Sequence, residues 1–142
     1  MSLYQIISSA HSGNRWLVLI LAIAAVVDFA IGLTSKKKFG KLDDVLTLVY
    51  TIVIDLQLLL GLILYFFLSP TVHDAISSGL DMSNAQSRFY VVEHPLTMLL
   101  AIVFAHVGRA TVKRATTDAI KFRRGLIWFT LALVFMLSRM PW

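Results

Sequence analysis

A chain of 142 residues is one domain's worth of sequence. Its hydrophobic share of 58% exceeds the ~45–50% of soluble domains, and so small a globule cannot hide that much apolar surface, which leaves a bilayer as the expected surrounding. The absence of cysteine excludes disulfides, thiolate metal sites and thiol catalysis, and the net charge of +5 is too clustered to suggest nucleic acid as a partner.

The first fourteen residues, MSLYQIISSAHSGN, carry no Lys or Arg, so the basic start of a signal peptide is missing and the first apolar helix is expected to be retained. A bilayer core ~30 Å thick needs ~20 mostly apolar residues in a helix. Four segments are read as spans, at about 15–33, 45–68, 88–112 and 124–140, all within one transmembrane domain covering 1–142. Small residues suggest close packing, namely Ala22, Ala24, Ala25 and Gly32 on the first helix and Ala101, Ala105 and Gly108 on the third.

The connections alternate in charge. Lys36, Lys37, Lys38 and Lys41 lie between the first two helices, and Arg109, Lys113, Arg114, Lys121, Arg123 and Arg124 between the last two. Only Arg15, Arg88 and Arg139 lie on the other side, so the excess of cations puts both basic connections in the cytoplasm. The expected fold is all-α, an integral membrane four-helix up-down bundle with both termini on the non-cytoplasmic side. Ser69-Pro70 should end the second helix, and Ser83-Asn-Ala-Gln86 should open the third as a capping box. Between them, the stretch from His73 to Met82 is expected to form a short surface helix.

Ionisable residues inside a span are costly and mark function by default. They are Asp28, Asp55, His94 and His106, with His11, Arg15 and Glu93 near the outer face. Orientation sorts them into layers. His11 and His94 share the outer half, on different helices, which is what two axial ligands of a haem require. Arg15 then suits a propionate, Met98 and Trp16 suit the ring edge, and Glu93 suits the second nitrogen of a histidine. The alternative for each histidine is an interfacial side chain bonded to a carbonyl or water. Pro95 disfavours helical geometry at His94, and if the helix continues it frees the Val91 carbonyl and kinks the chain.

A second haem is not expected. His106 lies twelve residues beyond His94, ~18 Å deeper and rotated by ~120°, and the inner layer has no other histidine. His106 is expected to pair with Asp28, as a buried polar group or in a proton or quinone role. Asp55, at mid-membrane, is expected to bond a neighbouring helix, helped by Gln57.

The segments HSGNRWLVL, QLLLGLILYF and RFYVVEHPLTMLLAIVFAHVGR and the terminal PW together resemble a family of small bacterial four-helix membrane proteins labelled cytochrome b-like. The resemblance covers most of the chain. It implies a multi-pass protein of the bacterial plasma (inner) membrane and one haem b at His11 and His94. The function expected is b-type cytochrome-like electron transfer within a membrane redox complex, with other redox subunits, and quinone as a candidate, as partners. The alternative is a haem-free structural or accessory subunit of a respiratory or photosynthetic membrane complex. Soluble-enzyme motifs are absent, and no pair of Gly/Pro-broken helices points to a transporter.

Overall fold

The computed structural model describes residues 1–142, which form five helices and no strand. Helix α1 spans Leu3–Ser35, α2 Lys41–Leu68, α3 Pro70–Ser77, α4 Ala85–Arg114 and α5 Asp118–Ser138. The long helices run past the expected spans because each end is capped by polar residues outside the apolar run. At α1 the Ser2 hydroxyl accepts from the Gln5 N–H while the Gln5 side chain accepts from the Ser2 N–H, a reciprocal cap twelve residues before the expected start. Lys36 ends the same helix in the left-handed conformation (φ 54°). Asp43 takes the Gly40 N–H at 2.8 Å at the start of α2, where its charge also suits the helix dipole.

Between α2 and α4 the chain behaves much as its turn residues dictate. Ser69 is extended and its hydroxyl accepts from Val72 N–H, with Pro70 in the first turn of α3, where its missing N–H costs nothing. The cap of α4 is one residue later than expected. Asn84 takes the Ser87 N–H at 3.0 Å, and Ser83 bonds Asp81 instead.

Pro95 does not break α4. His94 is helical (φ −64°, ψ −55°), contrary to the expectation for a residue before proline, because the preceding turn, Phe89–Glu93, widens to a π-type turn. Pro95 has no N–H to offer the Val91 carbonyl, which accepts the Tyr65 hydroxyl at 2.9 Å instead. Tyr65 lies in the last turn of α2, itself π-type over Leu64–Leu68. The proline thus turns a lost backbone bond into a tie between α2 and α4. Tyr65→Phe is expected to cost about 1–2 kcal/mol, read as a lower unfolding midpoint in detergent. The cost should shrink in a Pro95→Ala background, where the backbone N–H returns; equal costs in both backgrounds would refute this account.

The four long helices pack in a ring in which each neighbour runs antiparallel to the next. Asn14 of α1 meets Gln57 near the end of α2, Arg109 near the end of α4 meets Asp44 and Thr47 at the start of α2, and Arg15 of α1 meets Pro141 just beyond α5. One end of the ring therefore holds both termini and α3. The other holds the basic connections. The α4–α5 connection is only 115–117, so most of its cations sit on helix ends. Lys121 and Arg124 reach back to the Val112 and Thr111 carbonyls and satisfy the last turn of α4.

The basic end is filled by side chains. Phe29 meets Phe122, Phe129 and Phe39 edge-on at 5.4, 5.3 and 6.0 Å, and Tyr50 meets Phe129 at 5.7 Å. Glycines make room for these rings. A Cβ on Gly32 would fall 2.4 Å from Phe122, and one on Gly125 2.0 Å from Phe29. Of the small residues expected at contacts, Ala22, Ala25, Gly32, Ala101, Ala105 and Gly108 are buried, while Ala24 is only half-buried.

Only 26 of 142 residues are buried, and many large apolar side chains are exposed. Helices α1, α2 and α4 are long and apolar enough to cross a membrane. Helix α5 differs from the four-span expectation. Lys121, Arg123 and Arg124 occupy its first turns, leaving an apolar stretch from Leu126 to Leu137 of roughly 18 Å.

Candidate cofactor site

The end that holds the termini is hollow. A cavity of about 730 Å³ lies between the helices, lined by His11, Arg15, Gly61, Tyr65, His94 and Met98 among others. That volume falls in the range of small-molecule and cofactor sites. Hydroxyl and amide side chains, including Tyr4, Ser8, Ser12, Ser69, Thr71 and Gln86, line it alongside a larger number of apolar residues.

His11 from α1 and His94 from α4 face each other in this cavity, with ring centroids 6.4 Å apart and planes 87° apart. Two imidazoles that bind one metal from opposite sides have centroids roughly 6 Å apart, because the metal–nitrogen bond is about 2.0–2.1 Å and each centroid lies about an ångström further out. No three or more His, Asp or Glu side chains gather anywhere in the chain. Two opposed imidazoles suit a metal whose other donors come with it, as in a porphyrin.

The two histidines are held in different ways. His94 Nδ1 lies 2.8 Å from the Arg139 carbonyl, which can only accept, so Nδ1 carries the proton and the Nε2 lone pair is free. Phe89, one π-type turn earlier, stacks on the ring at 5.8 Å and 24°. The expected bond from Glu93 to a histidine is not present. Glu93 pairs with Arg88 at 2.7 Å and Arg139 at 3.3 Å, and so acts on His94 only through the residue whose carbonyl holds it.

His11 is held through its backbone. Its carbonyl accepts from the Gln57 amide at 2.9 Å, while Asn14, one turn along α1, donates to Gln57 Oε1 at 2.9 Å and to the Val53 carbonyl at 3.2 Å. This clamp locks the register of α1 against α2. Gly61, one turn beyond Gln57, faces the His11 ring, and a Cβ there would stand 3.2 Å from Cε1. His11 Nδ1 is buried with no hydrogen-bond partner.

Neither a protein family, nor a curated protein, nor a solved structure matches the chain.

Arg15 reaches the same cavity. One guanidinium nitrogen donates to the Pro141 carbonyl at 2.6 Å, the guanidinium lies over Trp16 at 5.1 Å, and Nε is buried and unpaired. Met98, one turn beyond His94, lines the cavity together with Met136 and Met140. Met136 comes from α5.

The remaining ionisable residues pair differently from expectation. His106 does not meet Asp28. Its Nε2 lies 2.6 Å from Asp55 on α2, and both side chains are about half exposed, on the outside of the helix ring rather than buried within it. Asp55, by contrast, does bond a neighbouring helix as expected, while Gln57 serves α1 instead. Asp28 instead takes the Lys37 ammonium at 2.9 Å, and Lys37 also binds Asp43 at 2.8 Å. Bonds to these two carboxylates hold the lysine's pKa above its ordinary value.

Sequence reading missed Gly61, the Asn14 clamp and Phe89. Of these only the clamp left a signal, since Gln57 is an amide within the apolar second span. Gly61 in LLLGL gave none, because a helical glycine declares its partner only once the facing helix is placed.

Proposed function

We propose that the chain is a membrane b-type cytochrome that holds one haem between His11 and His94 and passes single electrons. The observation that carries this reading is the opposed pair of imidazoles, at the spacing two axial ligands require, inside a cavity of cofactor size. The glycine that leaves room for the His11 ring fits the same group. Haem supplies a one-electron couple whose potential depends on its axial ligands and surroundings.

The residues divide the work. His94, with Nδ1 tied to the Arg139 carbonyl, presents Nε2, and that hydrogen bond raises the basicity of the ring. His11 opposes it, held in height by the Asn14–Gln57 clamp. Arg15 offers its unpaired Nε–H and its charge to a propionate.

In this reading the four long helices form an up-down bundle in a bacterial plasma membrane, with the basic end cytoplasmic and the termini outside. The cations at the start of α5 sit at headgroup level, and their long stems let the helix insert further. Electron partners are other redox subunits or quinone.

A reduced-minus-oxidised spectrum of the purified chain tests the proposal. Sharp reduced-haem bands at one haem per chain are expected, and a colourless preparation with intact helices would sink it in favour of a haem-free accessory subunit. Gly61→Val, which crowds the His11 ring, should lower haem content at least severalfold while helix content by circular dichroism stays unchanged.

A further inference from the structure

Asp55 and His106 lie outside the cavity and face away from the ring of helices, Asp55 near the middle of the apolar length of α2 and His106 toward the basic end of α4. Their 2.6 Å contact uses Asp55 Oδ1 and His106 Nε2, leaving Asp55 Oδ2 and His106 Nδ1 open. Around them project large apolar side chains, Ile52, Leu56 and Leu59 on α2 and Leu99 and Val103 on α4. At this depth, open polar atoms facing lipid are expensive, and they are retained where something pairs with them.

Two kinds of partner fit, and the shape of the surface decides between them. Small ligands take concave sites. Neither Asp55 nor His106 lines the 730 Å³ cavity or the smaller one beside Asp28 and Lys37. A surface of projecting side chains that opens into neither of these cavities suits a packed helix face.

We infer that a second copy of this chain covers this face, in a dimer whose two-fold axis follows the membrane normal through the α2–α4 seam. The inference rests on the membrane placement in the proposed function, because copies inserted the same way can share only an axis along the normal. Rotation about that axis brings α2 of each copy against α4 of the other. The acid on α2 then meets the base on α4 twice. Asp55 Oδ2 of one copy accepts from His106 Nδ1–H of the other, closing a four-membered ring of charge-assisted bonds. The face is thus complementary to itself, which an unrelated subunit would match only by carrying the same pattern.

The chain has no cysteine, so introduced thiols report alone. Leu59 and Val103 each lie about one turn from the pair toward the termini end, and both are exposed. Leu59→Cys and Val103→Cys chains with different tags, co-expressed and oxidised in the membrane, should form a mixed covalent dimer. Ile20→Cys with Ile127→Cys, on α1 and α5, should not. By energy transfer in liposomes, Asp55→Ala or His106→Ala should weaken dimerisation at least tenfold, about 1.4 kcal/mol. Exchanging the two residues (Asp55→His with His106→Asp) should restore it to within threefold and shows that the face still folds.

A chain that stays monomeric in lipid, a dimer indifferent to both substitutions, or a monomer that retains a small amphiphile through Asp55 would overturn the inference. Haem content is read on the same samples. Loss of the dimer with haem retained overturns the inference alone, and a colourless chain that still dimerises through this face overturns only the cytochrome reading. Release of the protein from membranes by carbonate removes the placement on which both rest.

Discussion

Replacing His94 with alanine is expected to lower haem affinity more than about a hundredfold, since even the outer partners of a metal-bound imidazole are typically worth 10–100-fold. His11→Ala should act in the same direction. The two differ in what they leave behind. Without His94, the Arg139 carbonyl loses its donor and Phe89 its stacking partner, so the end of α5 loosens against α4. Without His11, the backbone carbonyl still receives Gln57, so α1 and α2 stay locked. Haem stoichiometry should therefore fall in both, and the unfolding midpoint should fall further in His94→Ala. Glu93→Gln provides an intermediate case. It weakens the ion pair to Arg139 without touching either ring, and a loss within about tenfold is expected. Full haem content in both histidine variants would remove these residues as axial ligands.

Gly125→Ala is expected to destabilise the fold by roughly 3 kcal/mol, the upper end of the usual cost of overpacking. The new Cβ would stand 2.0 and 2.1 Å from two ring carbons of Phe29. That ring cannot swing aside, because Phe39, Phe122 and Phe129 hold it edge-on. A fall in unfolding midpoint on the order of 10 °C should follow. Trimming the obstructing ring should return part of the loss, so Phe29→Leu and Gly125→Ala should be non-additive by about 1 kcal/mol or more. Gly13→Ala is the internal control. Nothing lies within 4 Å of a Cβ there, and alanine is the better helix former, so the change should be neutral or stabilising. Equal costs at Gly13 and Gly125 would mean that helix propensity, not the interlock of α1 with α5, sets the effect.

The two sites lie at opposite ends of the same helices, and the contrast explains where function sits. At the basic end, aromatic rings enter notches left by Gly32, Gly108 and Gly125, and the space is full. At the other end, Gly61 makes the same kind of space, but only His11 enters it and the cavity continues beyond. A closed end and an open end with oriented side chains suit the cofactor role proposed above.

Hydropathy along the chain was enough to read an all-α protein with long apolar helices, because a run of apolar residues without proline has few other ways to satisfy its backbone in lipid. It misjudged where the helices end. Ser2 with Gln5, and Gly40 with Asp43, extend α1 and α2 through polar flanks that hydropathy discounts. Of the four expected spans, three are long and apolar enough to cross, while α5 begins with three cations in its first two turns.

Which polar residues meet was decided by the tertiary structure. Depth, which the sequence does encode, assigned His11 and His94 to one layer, and packing faces their rings at 6.4 Å. Depth also suggested Asp28 for His106. Rotation about the helix axes turned Asp28 to Lys37 and brought Asp55 to His106. A residue's height follows from its number, at 1.5 Å per step from the helix end. Its direction within the ring depends on how every helix settles against its neighbours, and in this chain that was set by a glycine that admits a ring, an amide clamp, and a proline whose missing N–H tyrosine replaced.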